Sequence, residues 1–197
     1  MERRKSLGDN TVLAIDSSTF EAESKQLPVG RKAVHKDKLI KNVYKIVNFY
    51  SLESRRPVAF SLIPGNIPDP ESVGNALKQL KALDLNNIEI ISDNGYCTDN
   101  TVALMLLEDQ HFVTRIEADI KWIQPLVARH RRTLEHCGGI VECDPLFSGI
   151  KTTVTRTFVA NDGRSIEKAV NVFIYFSSVN KAKDDVYFRE TFGRYRH

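Results

Sequence analysis

Apolar positions along the chain fall into short runs that alternate between strand and helix spacing. Residues 11–15 (Thr-Val-Leu-Ala-Ile) form a compact β-prone run that stops at Asp16, which predicts a buried strand with a carboxylate at its C-terminal end. Residues 17–38 show no period and contain Pro28 and Gly30, so they read as a loop, one long enough to favour function over mere connection. Val43, Ile46, Val47 and Phe49, then Val58, Phe60 and Leu62, predict strands over 42–50 and 57–63, paired as an antiparallel hairpin through the polar turn Glu53-Ser54-Arg55-Arg56. Pro64-Gly65-Asn66 ends that hairpin. Asp69 and Pro70 supply a cap and first-turn signal, and Val73, Ala76, Leu77, Leu80 and Leu83 follow at the spacing of an amphipathic helix lying on a sheet.

A second compact run, 88–92, again ends in a carboxylate, Asp93, followed by the tight-turn pair Asn94-Gly95. Asp99 is placed to cap a helix reaching about residue 109, whose Val102, Met105, Leu106 and Leu107 are apolar nearly all round and therefore buried. A strand over 111–116 and a helix over 125–136 come next; the helix carries Arg129, His130, Arg131 and Arg132 and stops at Gly138-Gly139. From residue 150 the texture changes: β segments at 150–160 and 166–177 flank Asn161-Asp162-Gly163-Arg164, a hairpin signal, and a charged tail over 181–196 reads as helix. The order β, β, β, α, β, α, β over 11–116 predicts an α/β chain with a mixed sheet: three antiparallel strands, then parallel crossovers.

Composition narrows the class. A chain of 197 residues suits one domain or one domain with an appendage, and 42% apolar with 27% charged residues describes a folded chain, not a disordered one. No apolar run approaches the roughly 18–20 residues of a membrane helix, and the N-terminus holds no signal-peptide core, so the expectation is a cytoplasmic chain without a membrane partner. Cys97, Cys137 and Cys143 include no CxxC pair, which makes buried free thiols the default; His136-Cys137 with Cys143 is a weak zinc signal. The net charge of +3 hides two opposite segments. Residues 25–45 hold seven Lys/Arg against one acid, Asp37, whereas 84–110 hold six acids and no base.

Asp16 and Asp93 carry the candidate chemistry. If the helix over 70–83 brings strand 88–92 parallel to strand 11–15, the two carboxylates meet at neighbouring strand ends, where open sheets with helical crossovers place their sites. Two carboxylates at that range repel unless a positive charge lies between them, and a hard divalent cation such as Mg²⁺ supplies one. The plainer reading is that each Asp ends its strand and orders the next turn.

The segments Val12-Leu-Ala-Ile-Asp16-Ser-Ser-Thr, Pro64-Gly65-Asn66-Ile-Pro-Asp69 and Ser92-Asp93-Asn94-Gly95-Tyr96 with Asn100 together resemble the core of bacterial insertion-sequence DDE transposases. The resemblance runs from about residue 12 to residue 116. It implies an RNase H-like core with a mixed five-stranded sheet and flanking helices over 11–117, after a frayed 1–10, with 118–197 as part of a β-rich insertion subdomain. It further implies that Asp16 and Asp93 are the first and second catalytic, metal-binding carboxylates, with Mg²⁺ or Mn²⁺ as cofactor. The implied substrate is DNA, both element ends and target, acted on in the nucleoid. Asn94 stands where many relatives have Arg, which removes a phosphate contact.

The family's third carboxylate, a Glu, sits on a later helix in the pattern Tyr, two residues, Arg, three residues, Glu, six residues, Lys. Tyr187-Phe-Arg189-Glu190 has neither spacing, so Glu190 is not that residue and no third catalytic Glu is assigned. The chain therefore reads as a transposase fragment, inactive alone, whose intact form performs metal-dependent strand cleavage and strand transfer. Its partners would be DNA and a second copy or a full-length transposase. Two alternatives stand beside this: a folded non-catalytic remnant that binds DNA or a full-length partner, and a fragment of an RNase H-like sugar kinase, whose first phosphate loop Ala-Ile-Asp-Ser-Ser-Thr also resembles. For DNA phosphates the candidates are Lys36 and Lys38, which flank Asp37 where relatives often carry a Lys-Asp pair, and Arg129, Arg131 and Arg132. Trp122 and the tail aromatics Tyr187, Phe188, Phe192 and Tyr195 read first as packing residues and second as base-stacking ones.

Overall fold

β1 (Val12–Glu21) runs ten residues and carries Asp16 in its interior. The apolar run had placed the strand's end at Asp16; the strand continues because Ser17, Ser18 and Thr19 keep pairing antiparallel with Val47, Ile46 and Lys45. This is a computed structural model, and it describes residues 11–24, 26–34, 38–83, 85, 88–136, 140–141 and 144–192. Of the segment read as loop, Arg31–Val34 forms a short strand, β2, against residues 40–43 of β3 (Ile40–Ser51). β4 (Arg56–Pro64) pairs with the rest of β3, past a register shift at Phe49/Tyr50. β5 (Glu89–Ser92) and β6 (His111–Thr114) add to β1 in parallel.

The sheet therefore has six strands where five were expected, in the order β2-β3-β1-β5-β6 with β4 also on β3. The antiparallel start and parallel crossovers are those of the RNase H-like class. α1 (Asp69–Ala82) connects β4 to β5, and α2 (Asp99–Leu107) connects β5 to β6. Both crossovers supply the core: Leu13, Ile15, Val47, Phe49 and Ile90 of the sheet pack with Val73, Ala76, Leu77, Leu80 and Met105 of the helices.

Two caps differ from the sequence reading. α1 is preceded by Pro68 with no side-chain cap, and Asp69 is its first residue, turned to a cation instead. α2 is capped by Thr98, whose hydroxyl accepts the Thr101 N–H, and not by Asp99.

The chain divides into two compact units, 1–116 with 157–168 and 117–156 with 169–197. The second contains α3 (Gln124–Glu135), β7 (Ile140–Val141), α4 (Ser178–Phe192) and most of β8 (Asp144–Val159) and β9 (Ser165–Ser177). Within it, Ile123 and Leu134 are buried, and Arg156 lies over the Trp122 ring at 4.8 Å. The β8–β9 turn is the one the Asp-Gly signal predicts, with Gly163 at φ 85° and its N–H on Ala160 O (3.0 Å). Among the described residues no helix is long and apolar enough to cross a membrane.

Candidate metal and nucleic-acid site

The parallel ladder between β1 and β5 pairs Ile15 with Ser92, and Asp16 and Asp93 are the next residue on each strand. One strand further, Ser92 pairs with Thr114, and Arg115 follows; its N–H bonds Ser92 O at 3.2 Å. Three adjacent strands thus finish their common ladder one residue before Asp16, Asp93 and Arg115. All three are exposed, and strand alternation sets them on the face opposite Ile15, Ser92 and Thr114. Neighbouring strands lie about 4.8 Å apart, a backbone spacing from which two carboxylates on one face can reach the same cation. Arg115 escapes a reading by local pattern, because its place depends on the register of β6.

Each carboxylate is oriented by backbone. Asp16 Oδ1 accepts the Ser17 N–H at 2.8 Å, and Asp93 Oδ1 accepts the Gly95 N–H at 3.0 Å, capping a 3-10 turn over Asn94–Tyr96. A Cβ at Gly95 would come within 3.2 Å of that same oxygen, so glycine gives the carboxylate its clearance. Among the described residues neither Asp16 nor Asp93 forms an ion pair. Their oxygen donors, held by backbone and free of cations, suit a hard divalent ion. Among the described residues no group of three or more His, Cys, Asp or Glu is placed to hold a metal ion.

Asp69 has the opposite situation. Its Oδ1 takes the Lys45 ammonium at 2.8 Å, and the same ammonium donates to Ile67 O at 2.9 Å, with the lysine side chain only 14% exposed. That pair ties the start of α1 to β3. Tyr96, in the turn after Asp93, is buried at 1% exposure. Burial pushes its phenol well above the ordinary value, Ser17 works the other way, and the charges of Asp69, Asp16 and Asp93 raise it further, in that order. The hydroxyl makes no hydrogen bond of standard geometry. Burial likewise pushes the half-buried Cys97 thiol up, against a hydrogen bond with Thr114; Cys137 and Cys143 lie outside the described residues.

Two further motif residues have structural work. A Cβ on Gly65 would sit 2.2 Å from Val43 O, so the Pro-Gly-Asn turn can cross β3 only with glycine. Asn100 Oδ1 accepts the Asn161 N–H at 2.8 Å, which anchors the β8–β9 turn to the start of α2.

Of the residues assigned to DNA, Lys36 lies outside the described residues. Lys38 is exposed, with φ 64°, between β2 and β3. Arg129, Arg131 and Arg132 are exposed on α3 in the second unit, and Arg131 is engaged with Glu135 at 2.9 Å. Glu190 and the aromatics Tyr187, Phe188 and Phe192 belong to α4, and Tyr195 lies outside the described residues.

The chain matches the family described as "Transposase DDE domain" over residues 7–167. No curated protein matches it. Among solved structures it is similar to the piggyBac transposase in a synaptic complex with hairpin DNA, at 12% identity and TM-score 0.43, covering 82% of this chain and 33% of that one. It is similar also to the simian T-cell lymphotropic virus intasome in complex with PP2A regulatory subunit B56 gamma, at 15% identity and TM-score 0.38, covering 66% of this chain and 40% of that one. A third likeness is to Ciona intestinalis endonuclease V with DNA, at 12% identity and TM-score 0.33, covering 86% of this chain and 72% of that one. The chain spans about a third of the length of the first of these structures.

Proposed function

The chain belongs to the transposase DDE domain family, and on that premise we propose that residues 11–116 form the core that binds and cleaves DNA with the help of a divalent metal. Asp16 and Asp93 are the two carboxylates that would hold Mg²⁺ or Mn²⁺. The observation that carries this reading is the parallel register that makes them neighbours at one sheet edge. When bound, the metal supplies a Lewis acid at the scissile phosphate and an acidified water or hydroxyl as nucleophile. The chain's own residues then have distinct parts. The Ser17 and Gly95 N–H groups keep the two carboxylates aimed before substrate arrives. Arg115, with five fixed donors, grips a non-bridging phosphate oxygen beside them. Lys38 in the first unit, and separately Arg129 and Arg132 on α3 in the second, contact DNA phosphates, which positions DNA without reading its sequence.

Residues 118–197 are part of a β-rich insertion. A kinase-type reading would need ATP, and the family match favours DNA instead.

Titration of the purified chain with Mn²⁺, followed by electron paramagnetic resonance, tests the reading. Binding should be lost in both Asp16→Asn and Asp93→Asn, and metal-dependent nicking of an oligonucleotide bearing an element end should fall with it. Undiminished Mn²⁺ binding in both variants would overturn the assignment.

A further inference from the structure

Past Asp16, β1 carries a second feature on the same face. Asp16, Ser18 and Phe20 alternate onto it, and Phe20 lies directly opposite Tyr44 of β3. The two rings are stacked, with centroids 5.6 Å apart and planes at 21°, yet Phe20 remains 41% exposed. Phe20 is four residues beyond Asp16 along the strand, about 13 Å, or roughly four base-pair rises of B-DNA.

The surroundings have the chemistry of a nucleic-acid contact. Asn42 shares the face by alternation with Tyr44, and opposite Asn42 stands Lys32 of β2, exposed. Asn42 Nδ2 reaches back to Ser24 O at 3.4 Å, so the β1–β2 connection borders the rings on the side away from Asp16. Tyr44 lies within residues 25–45, whose seven Lys/Arg face a single acid, and Phe20 stands just before that segment, next to Glu21. Packing alone explains an aromatic pair under a helix or against a core, but this one is on the open face of the sheet, at the same edge as the carboxylates.

We propose that the stacked Phe20–Tyr44 pair is a platform for an unpaired base of the DNA substrate, set along β1 from the Asp16–Asp93 site. The inference rests on the DNA reading above. A base laid over Phe20 holds the strand at a fixed distance from the carboxylates and gives a preference for frayed or flapped ends over blunt duplex, with little regard to base identity.

The test compares the full chain binding a blunt duplex with its binding of the same duplex carrying an unpaired thymidine tail, in the wild type, Phe20→Leu and Phe20→Trp. Leucine keeps the apolar area and removes the π face, and a thermal melt confirms that each variant folds. The wild type should favour the tailed DNA. Phe20→Leu should lose tailed-DNA affinity by about 5- to 150-fold, the range for a base on an aromatic ring, leave blunt-duplex affinity unchanged, and be rescued by Phe20→Trp. An abasic tail should bind the wild type no better than blunt duplex. Equal affinity of folded Phe20→Leu and wild type for tailed DNA overturns the platform while the DNA reading stands. So does a change confined to self-association, which makes the face a protein contact. Failure of the wild type to bind either DNA overturns both.

Discussion

The two faces of the main sheet are built to different rules. On the face under α1 and α2, Leu13, Val47 and Phe49 are fully buried and Ile90 is 2% exposed. On the other, Phe60 is 65%, Val113 52% and Leu62 45% exposed, although Leu62 and Phe60 pair with Ile46 and Asn48 as regularly as any core strand. The first face is where folding free energy comes from, by removal of apolar area from water. The second holds Asp16, Asp93 and Arg115 at its edge. The same alternation of residues that builds a core on one side delivers the candidate chemistry to the other, so the two functions are separable by substitution.

The largest separation should come from the carboxylates. Asp16→Asn and Asp93→Asn should each cut metal-dependent nicking of an element-end oligonucleotide on the order of a thousand-fold, several kcal/mol of metal-derived stabilisation. The melting temperature should hold or rise, because relief of carboxylate repulsion favours the fold. A substitution on each face sharpens the contrast next. Phe49→Ala should destabilise by about 3–5 kcal/mol in denaturant unfolding, and Phe60→Ala by no more than about 0.5 kcal/mol. Equal losses at the two positions would show that the open face is buried in solution. Gly65→Ala drives a methyl into Val43 O and should cost about 1–3 kcal/mol, with the mixed sheet retained by circular dichroism.

The smallest effect is a pH dependence at the anchor of the β8–β9 turn. Glu108 bonds Lys81 and lies 3.9 Å from Arg164, and these contacts, Lys81 first, hold its carboxyl below the ordinary 4.5. A lowered folded-state value stabilises fully above the ordinary one, and that contribution disappears as pH falls through the lowered one. Glu108→Gln should therefore lower the melting temperature slightly at neutral pH and converge with wild type in acid.

Much of the open face was legible because its strands announce themselves by period. Runs 11–15 and 88–92 each end one residue before an Asp, and the parallel crossover through an amphipathic helix follows from chain order. The parts that escaped depend on partners distant in sequence. Ser17-Ser18-Thr19 has no apolar signature and is a strand only because β3 pairs with it. Arg31–Val34 is held as an edge by residues 40–43. Asp69 looks like a cap until Lys45, on another element, claims its carboxylate.

β1 is flanked by β5 only as far as Ile15, whereas its pairing with β3 continues to Glu21. From Asp16 onward it has become an edge strand, and its peptide groups divide accordingly. Amide hydrogens of β1 before Asp16 should exchange more slowly than those after it, measured by native-state hydrogen exchange. Asp16 thus stands where support from two neighbouring strands gives way to pairing on one side only.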